Sequence, residues 1–342
     1  MKLALVTETY PPEVNGVAMT LSRLVAGLRA RGHEVEVVRP RQRGEDARAT
    51  PDFLVPGMAI PFYDALRVGL PTIWRLEERW RVWRPDVVHV ATEGPLGLAA
   101  VTLAYLRWFH NRTRLTLAPT RQMVGELADA RFRGLSVMAR GVDTALFDPA
   151  KRSQALRATW GAAPEDPVAL YVGRLAAEKN LGLAVEAFLR LRARAPRAKF
   201  VLVGDGPARE ALARAHPEFH YAGMRRGEEL AAHYASGDLF LFASVTETFG
   251  NVVTEAMASG LVTLSYDYAA TREHVRDGRN GYAAAYDKRE DFFAGVERAW
   301  SERSRWPEVA QAARRTATSL TWASVVARFE SDVRAATGVD AP

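Results

Sequence analysis

The chain has 342 residues, 48% hydrophobic and 25% charged, an ordinary globular composition whose length is long for one core and comfortable for two domains. It contains no cysteine, which excludes disulfides, thiolate chemistry and cysteine-ligated zinc and fits a reducing compartment. The formal charge of +6 would attract anionic substrates, anionic lipid headgroups or nucleic acid, and discriminates poorly among them.

An apolar strand is predicted from Lys2 to Thr7, then a loop with Pro11, Pro12 and Gly16, a helix over 18–31 ending at Gly32, and a second strand over 34–39. This strand, helix, strand unit should make a right-handed crossover in a parallel sheet. Further strands are predicted over 53–55, 87–91, 115–118 and 135–138, giving a doubly wound first half. Between them, Ile73, Leu76, Trp80 and Val82 or Trp83 form a helical apolar face read as packing on the sheet. The alternative is a membrane-surface helix with its arginines at lipid headgroups. His89, inside the strand over 87–91, is read as a satisfied core residue, and Glu93, in the loop that follows, as the candidate to touch an acceptor. The nearly apolar run from Leu96 to Leu106 is too short to span a bilayer. With no cleavage signal in the first residues, the expected location is cytoplasmic.

The pattern restarts after Gly141-Val142-Asp143. Strands are predicted over 169–172, 199–203, 219–222, 239–243 and 262–266, alternating with helices over 182–195, 208–216, 228–235 and 251–259. Two such domains in tandem would leave a cleft between facing strand ends, where open parallel sheets bind ligands. The segment over 322–336 carries Val325, Val326, Phe329 and Val333 at helical spacing.

Two segments bear charge that could do chemistry. In Glu247-Thr248-Phe249-Gly250-Asn251-Val252-Val253-Thr254-Glu255, Gly250 and Asn251 suit a turn and helix start, with Glu247 in the loop and Glu255 in the first turns. Unpaired N–H groups at a helix start bind phosphate, and carboxylates beside them can accept from sugar hydroxyls. The plainer reading is a pair of solvated acids favoured by the helix dipole. In Gly173-Arg174-Leu175-Ala176-Ala177-Glu178-Lys179-Asn180, an arginine fork and a mobile ammonium follow a strand. They would neutralise a departing diphosphate, or they are ordinary surface charges. The histidines never approach ligand spacing and no Asp-x-Asp triplet occurs, so a metal-free site is favoured.

These segments resemble the retaining family-4 glycosyltransferases. The likeness is carried by the Glu-x-Phe-Gly-Asn core within Glu-x7-Glu, by Gly-Arg-Leu-x-x-x-Lys-Asn, and by Pro11-Pro12-Glu13-Val14-Asn15-Gly16-Val17, in family order over almost the whole chain. The resemblance implies an α/β GT-B fold of two Rossmann-like domains. It implies an acceptor domain over 1–147, a donor domain over 148–318 and a helix over 319–342 returning to the first domain. It implies hexose transfer with retention from a nucleotide diphosphate sugar, GDP-mannose first and a UDP-hexose second, to a sugar or lipid hydroxyl. It implies no cofactor, no metal and no nucleic-acid partner, with peripheral contact at the inner membrane face as a further expectation. Arg174, Lys179 and Glu247 would be catalytic. Gly16, Gly173, Gly204, Met224, Phe249, Gly250, Asn251, Val252 and Glu255 would hold the donor. The chain departs from the family where Ala100 runs directly into Val101. A strand and the His-Thr-x-Phe segment with an active-site histidine have no counterpart there, and the expectation is that the natural protein carries further residues at that junction. The rival readings are a UDP-sugar epimerase of the same fold and an inactive protein that binds nucleotide sugars or anionic surfaces.

Overall fold

The computed structural model describes residues 1–338 except 14, 43, 44, 46–49, 61, 62, 70–72, 92–105 and 108. Glu93 and the Ala100–Val101 junction lie outside the described residues. The chain divides into two compact units, the first built from 1–118, 123–139 and 322–342, the second from 119–122 and 140–321.

The first unit contains β1 (Lys2–Val6), β2 (Glu34–Pro40), β3 (Phe53–Val55), β4 (Gly57–Ile60), β5 (Tyr63–Gly69), β6 (Val87–Val90), β7 (Thr116–Ala118) and β8 (Leu135–Val137). Its main sheet is parallel in the order β3-β2-β1-β6, with Leu5 facing Val37 on one side and His89 on the other. β1 is central and buries Leu3, Ala4 and Leu5 completely, as a parallel strand covered on both faces must. The antiparallel pair β4–β5 was not foreseen in the sequence. The helix Gly16–Ala30 is capped by Asn15, whose side chain accepts from the Ala18 N–H at 2.8 Å. Its apolar stripe Leu21, Leu24, Val25 and Leu28 is buried.

Helix Trp322–Thr337 completes this core with Val326, Phe329 and Val333. Gly27 lets the two helices close up, since a Cβ there would lie 2.4 Å from Val326 Cγ2. The same contact buries Glu330, 3% exposed, against Arg31, His33 and Arg334. In helix Ile73–Trp83 the apolar face takes the Trp83 alternative: Leu76, Trp80 and Trp83 are half-buried, and Val82 is 82% exposed. A turn of 3.6 residues cannot put Val82 on the side of Trp80 and Trp83 together. Among the described residues no helix is long and apolar enough to cross a membrane.

The second unit holds β9 (Val168–Val172), β10 (Lys199–Val203), β11 (His220–Gly223), β12 (Leu239–Phe242), β13 (Val262–Tyr266) and β14 (Tyr282–Ala284). They form one parallel sheet in the order β11-β10-β9-β12-β13-β14. The order reverses beside β9, which places the loops after β9 and β12 at the switch point where such sheets take ligands. Backbone interlocks the ends of β9 and β10. The Leu175 N–H donates to the Asp205 carbonyl at 2.9 Å, and a Cβ on Gly204, whose φ is +134°, would lie 2.0 Å from the Gly173 oxygen. Only glycine permits that approach.

Candidate functional site

The loop leaving β12 turns its polar side chains back on the loop leaving β9. Ser244 is buried, 3% exposed, and its Oγ donates to Glu247 Oε1 at 2.8 Å. Lys179 Nζ donates to the same oxygen at 2.5 Å. Among the described residues both hydrogen bonds to this carboxylate fall on Oε1, which leaves Oε2 for a ligand hydroxyl. Lys179 ends a short 3-10 turn, Ala177–Lys179, pinned where Thr246 Oγ1 donates to the Glu178 carbonyl at 3.0 Å. Asn180, at φ +52°, then swings the chain into helix Leu181–Arg194, a conformation asparagine tolerates better than most residues. Arg174 lies nearby in sequence but more open, 3.2 Å from Glu178 in an exposed pair of little energetic weight.

Gly250, at φ +88° and ψ +57°, makes the turn into helix Asn251–Ala258, which has no side-chain cap at its start. An uncapped start keeps N–H donors and the positive end of the helix dipole available. Glu255 follows one turn later and accepts from the Tyr234 hydroxyl at 2.9 Å. The residue keeps a partial solvent face, yet its carboxyl is closely surrounded, and burial pushes it up to about 7, only partly opposed by the Tyr234 hydrogen bond. Burial also lifts the Tyr234 hydroxyl well above its ordinary range, so this pair is a neutral phenol donating to a carboxyl poised near neutrality.

The remaining expected residues are dispersed. Phe249 is buried in the core, 1% exposed, so its ring serves the packing of this loop. Asn251 and Val252 are half-buried at the helix start. Gly173 and Gly204 form the interlocked strand ends described above, and the Gly204 N–H donates to the Gly223 carbonyl at 2.9 Å. Met224, after β11, is 58% exposed. Gly16 belongs to the first unit and opens helix Gly16–Ala30. In the loop before it, Glu13 ties Thr9, at 2.5 Å, to Gln42, at 2.6 Å. His89 is half-buried with its ring edge-on to Phe329 at 5.4 Å, and burial pushes its imidazole down to about 4; contrary to expectation it is not satisfied, since among the described residues its Nε2 has no hydrogen-bond partner.

Three features escaped the sequence. Arg140 lies with its guanidinium 5.7 Å from the centre of the Phe249 ring and its Nη1 3.5 Å from Asn251 Oδ1. Burial lowers it to about 10, and the Glu247 charge partly restores it. Ser244 holds Glu247 from outside the motifs. Ala269 has φ +51° and ψ −126°, a strained geometry for a residue with a Cβ, and the next N–H, of Ala270, donates to the Phe249 carbonyl at 2.7 Å. The sequence carries no sign of Arg140 or Ala269, because neither falls in a motif. Ser244, three residues before Glu247, was open to a local hydrogen-bond reading.

The site therefore brings Lys179 onto Glu247 and Arg140 to the uncapped helix start at Asn251, with Arg174 exposed on the loop after β9 and Glu255 one turn along the helix, groups suited to a ligand with both phosphate and hydroxyls. Residues 166–302 match the family described as Glycosyl transferases group 1, and residues 14–105 match Glycosyltransferase Family 4. The chain is 33% identical to a GDP-mannose-dependent alpha-mannosyltransferase of Mycolicibacterium smegmatis, over 94% of each chain. It is 28% identical to an alpha-monoglucosyldiacylglycerol synthase of Acholeplasma laidlawii, over 82% of this chain and 84% of that one. The alignment with the Mycolicibacterium protein spans 363 positions, more than this chain contains, so that relative carries residues without a counterpart here. Among solved structures, HepE of Anabaena in complex with UDP superposes with a TM-score of 0.79 at 17% identity, covering 98% of this chain and 100% of that one. The fold is GT-B.

Proposed function

This chain belongs to the family-4 glycosyltransferases, and on that premise we propose that it moves mannose from GDP-mannose, with retention, to a hydroxyl on a lipid-linked acceptor. The donor is supported by the Mycolicibacterium relative and the acceptor class by the Acholeplasma one. The observation that carries the reading is the meeting of Lys179 and Glu247, 68 positions apart, at 2.5 Å beside the uncapped start of helix Asn251–Ala258. When a diphosphate sugar enters, Lys179 turns to the diphosphate and Arg174 joins it, stabilising negative charge as the sugar bond breaks. The Gly250 to Val252 backbone holds phosphate, Glu247 orients sugar hydroxyls and Glu255 accepts from the ribose. Charge on the leaving group is met by protein groups, so activity survives chelation. Gly173, Gly204 and Met224 frame the nucleotide on the second unit, and Glu93 is assigned to the acceptor. The exposed Val82 and the formal charge of +6 support peripheral contact of helix Ile73–Trp83 with an anionic membrane on the cytoplasmic side, although Arg79 on that helix is held by Glu36 at 2.6 Å.

Glu247→Gln tests this reading. It should bind GDP-mannose within a few-fold of wild type and lose at least about a hundredfold in transfer to a lipid acceptor, because contacts that orient the anomeric carbon count mainly in the transition state. Equal transfer by the variant would refute the role. Binding without transfer in the wild type itself would instead identify a protein that recognises nucleotide sugars and has lost catalysis.

A further inference from the structure

The cations assigned to the donor so far face carboxylates: Lys179 faces Glu247 at 2.5 Å, and Arg174 faces Glu178 at 3.2 Å. Together these pairs bring no net charge, while a nucleoside diphosphate sugar arrives with about two negative charges on its phosphates. A third cation, itself within the field of Glu247, reaches the helix start from a different segment. Arg140 begins the stretch 140–321 of the second unit and leans over the Phe249 ring, its guanidinium carbon 5.7 Å from the centroid. Its Nη1 is 3.5 Å from Asn251 Oδ1, at the first residue of the uncapped helix. The aromatic face steadies a planar cation and orients its fork. This gives the buried Phe249 ring a purpose, as a platform under Arg140 beside the start of helix Asn251–Ala258. The surrounding protein has already stripped water from this guanidinium, the reason it is pushed down to about 10, so an incoming anion meets a poorly hydrated partner.

Building on the glycosyltransferase reading, we propose that Arg140 is a donor-binding residue whose guanidinium fork takes the sugar-proximal phosphate of the nucleoside diphosphate sugar, alongside the helix start at Asn251. Arg140 lies on the Glu247 side of the helix start, where that reading puts the sugar, so it meets the phosphate bonded to the sugar and not the one bonded to the nucleoside. Charge-assisted, two-pronged contacts of this kind are among the stronger hydrogen bonds proteins make.

Calorimetry with GMP, GDP and GDP-mannose, and in parallel UDP and UDP-glucose, on wild type, Arg140→Gln and Arg140→Lys is the test, with melting curves to confirm folding. Arg140→Gln should bind GMP within about twofold of wild type and lose about 10- to 100-fold for GDP and GDP-mannose, the range expected for a charged hydrogen bond. Arg140→Lys keeps the charge without the fork, and should melt like wild type yet bind GDP-mannose at least about fivefold more weakly. GDP-mannose binding within twofold of wild type in either folded variant would overturn the proposal. So would a loss for GMP as large as for GDP-mannose, which would mark a diffuse field effect. If wild type binds none of the five ligands, the glycosyltransferase reading itself fails and the proposal falls with it. If wild type binds and the variants match it, only the role of Arg140 fails.

Discussion

Glu255 makes the most exacting prediction, because its two roles have opposite signs. Its carboxyl is pushed from an ordinary value near 4.5 up to about 7 by burial. At about 1.4 kcal/mol per unit, holding it charged in the folded, empty site costs on the order of 3 kcal/mol as an upper figure, less where its partial solvent face screens it. The folded chain grips this proton more tightly than the unfolded chain does. Stability from this group is therefore fully present below about pH 4.5 and is lost as pH rises through about 7. Glu255→Gln keeps an oxygen to accept from the Tyr234 hydroxyl and removes the charge. At pH 8 it should stabilise the second unit by roughly 1 to 3 kcal/mol, a rise of about 2 to 4 °C per kcal/mol for a unit of this size, and at pH 4.5 it should give no gain. Ligand binding should show the reverse. A ribose hydroxyl donates to the ionised carboxylate, so GDP-mannose should bind most tightly above pH 7 and weaken by up to about tenfold per unit below it. Proton release should be measurable by calorimetry in buffers of different ionisation enthalpy. GDP-mannose is the right probe because GDP carries its own phosphate ionisation near pH 6. Glu255→Gln should bind weakly at every pH and release no proton. A variant that melts at or below wild type at pH 8, or wild-type binding that is flat from pH 6 to 8, would refute the assignment of both burial and ribose contact.

Ala269→Gly should relieve the strained backbone at φ +51° and raise stability by about 1 kcal/mol, after the added chain entropy of glycine is subtracted; an unchanged or lower urea midpoint would contradict this. Gly204→Ala would drive a Cβ to 2.0 Å from the Gly173 carbonyl oxygen and should cost roughly 3 kcal/mol or more, read as loss of soluble, cooperatively melting protein. Burial pushes the Glu330 carboxyl up, but the hydrogen bond and charge of Arg31, with the charge of Arg334, outweigh it and hold it below the usual carboxylate range. Its contribution should be present above about pH 4.5 and lost as pH falls through its lowered value. Glu330→Gln should therefore destabilise the first unit at pH 7, by only roughly 1 to 3 kcal/mol because Arg31 and Arg334 can turn to water, and a variant as stable as wild type at pH 7 would show that the two arginines do not depend on it.

Much of this was legible in the residue order. The alternation of β-branched runs with amphipathic stretches locates β9, β10, β12 and β13 to within a residue, since strands buried on both faces are continuous apolar runs. Gly250 and Asn251 read as a helix start, and the helix begins at Asn251. What the order could not convey is which distant groups converge. Arg140 meets Asn251 across 111 positions, and Tyr234 reaches Glu255 from a neighbouring helix, contacts that depend on how helices stack on the sheet. Backbone strain at Ala269 is invisible too, because alanine is an unremarkable choice almost everywhere. The hairpin β4–β5 was missed for a different reason: Tyr63 to Gly69 mixes charged and apolar residues without the turn signals that mark hairpins.

The central claim is that this chain transfers a hexose from a nucleotide diphosphate sugar, and a radiolabelled donor panel with lipid acceptors tests it most directly. Wild-type protein in EDTA should move label from GDP-mannose to lipid faster than from UDP-glucose, giving a product whose anomeric proton shows the α configuration of the donor. No transfer and no donor hydrolysis from any nucleotide sugar, with or without magnesium, would contradict it.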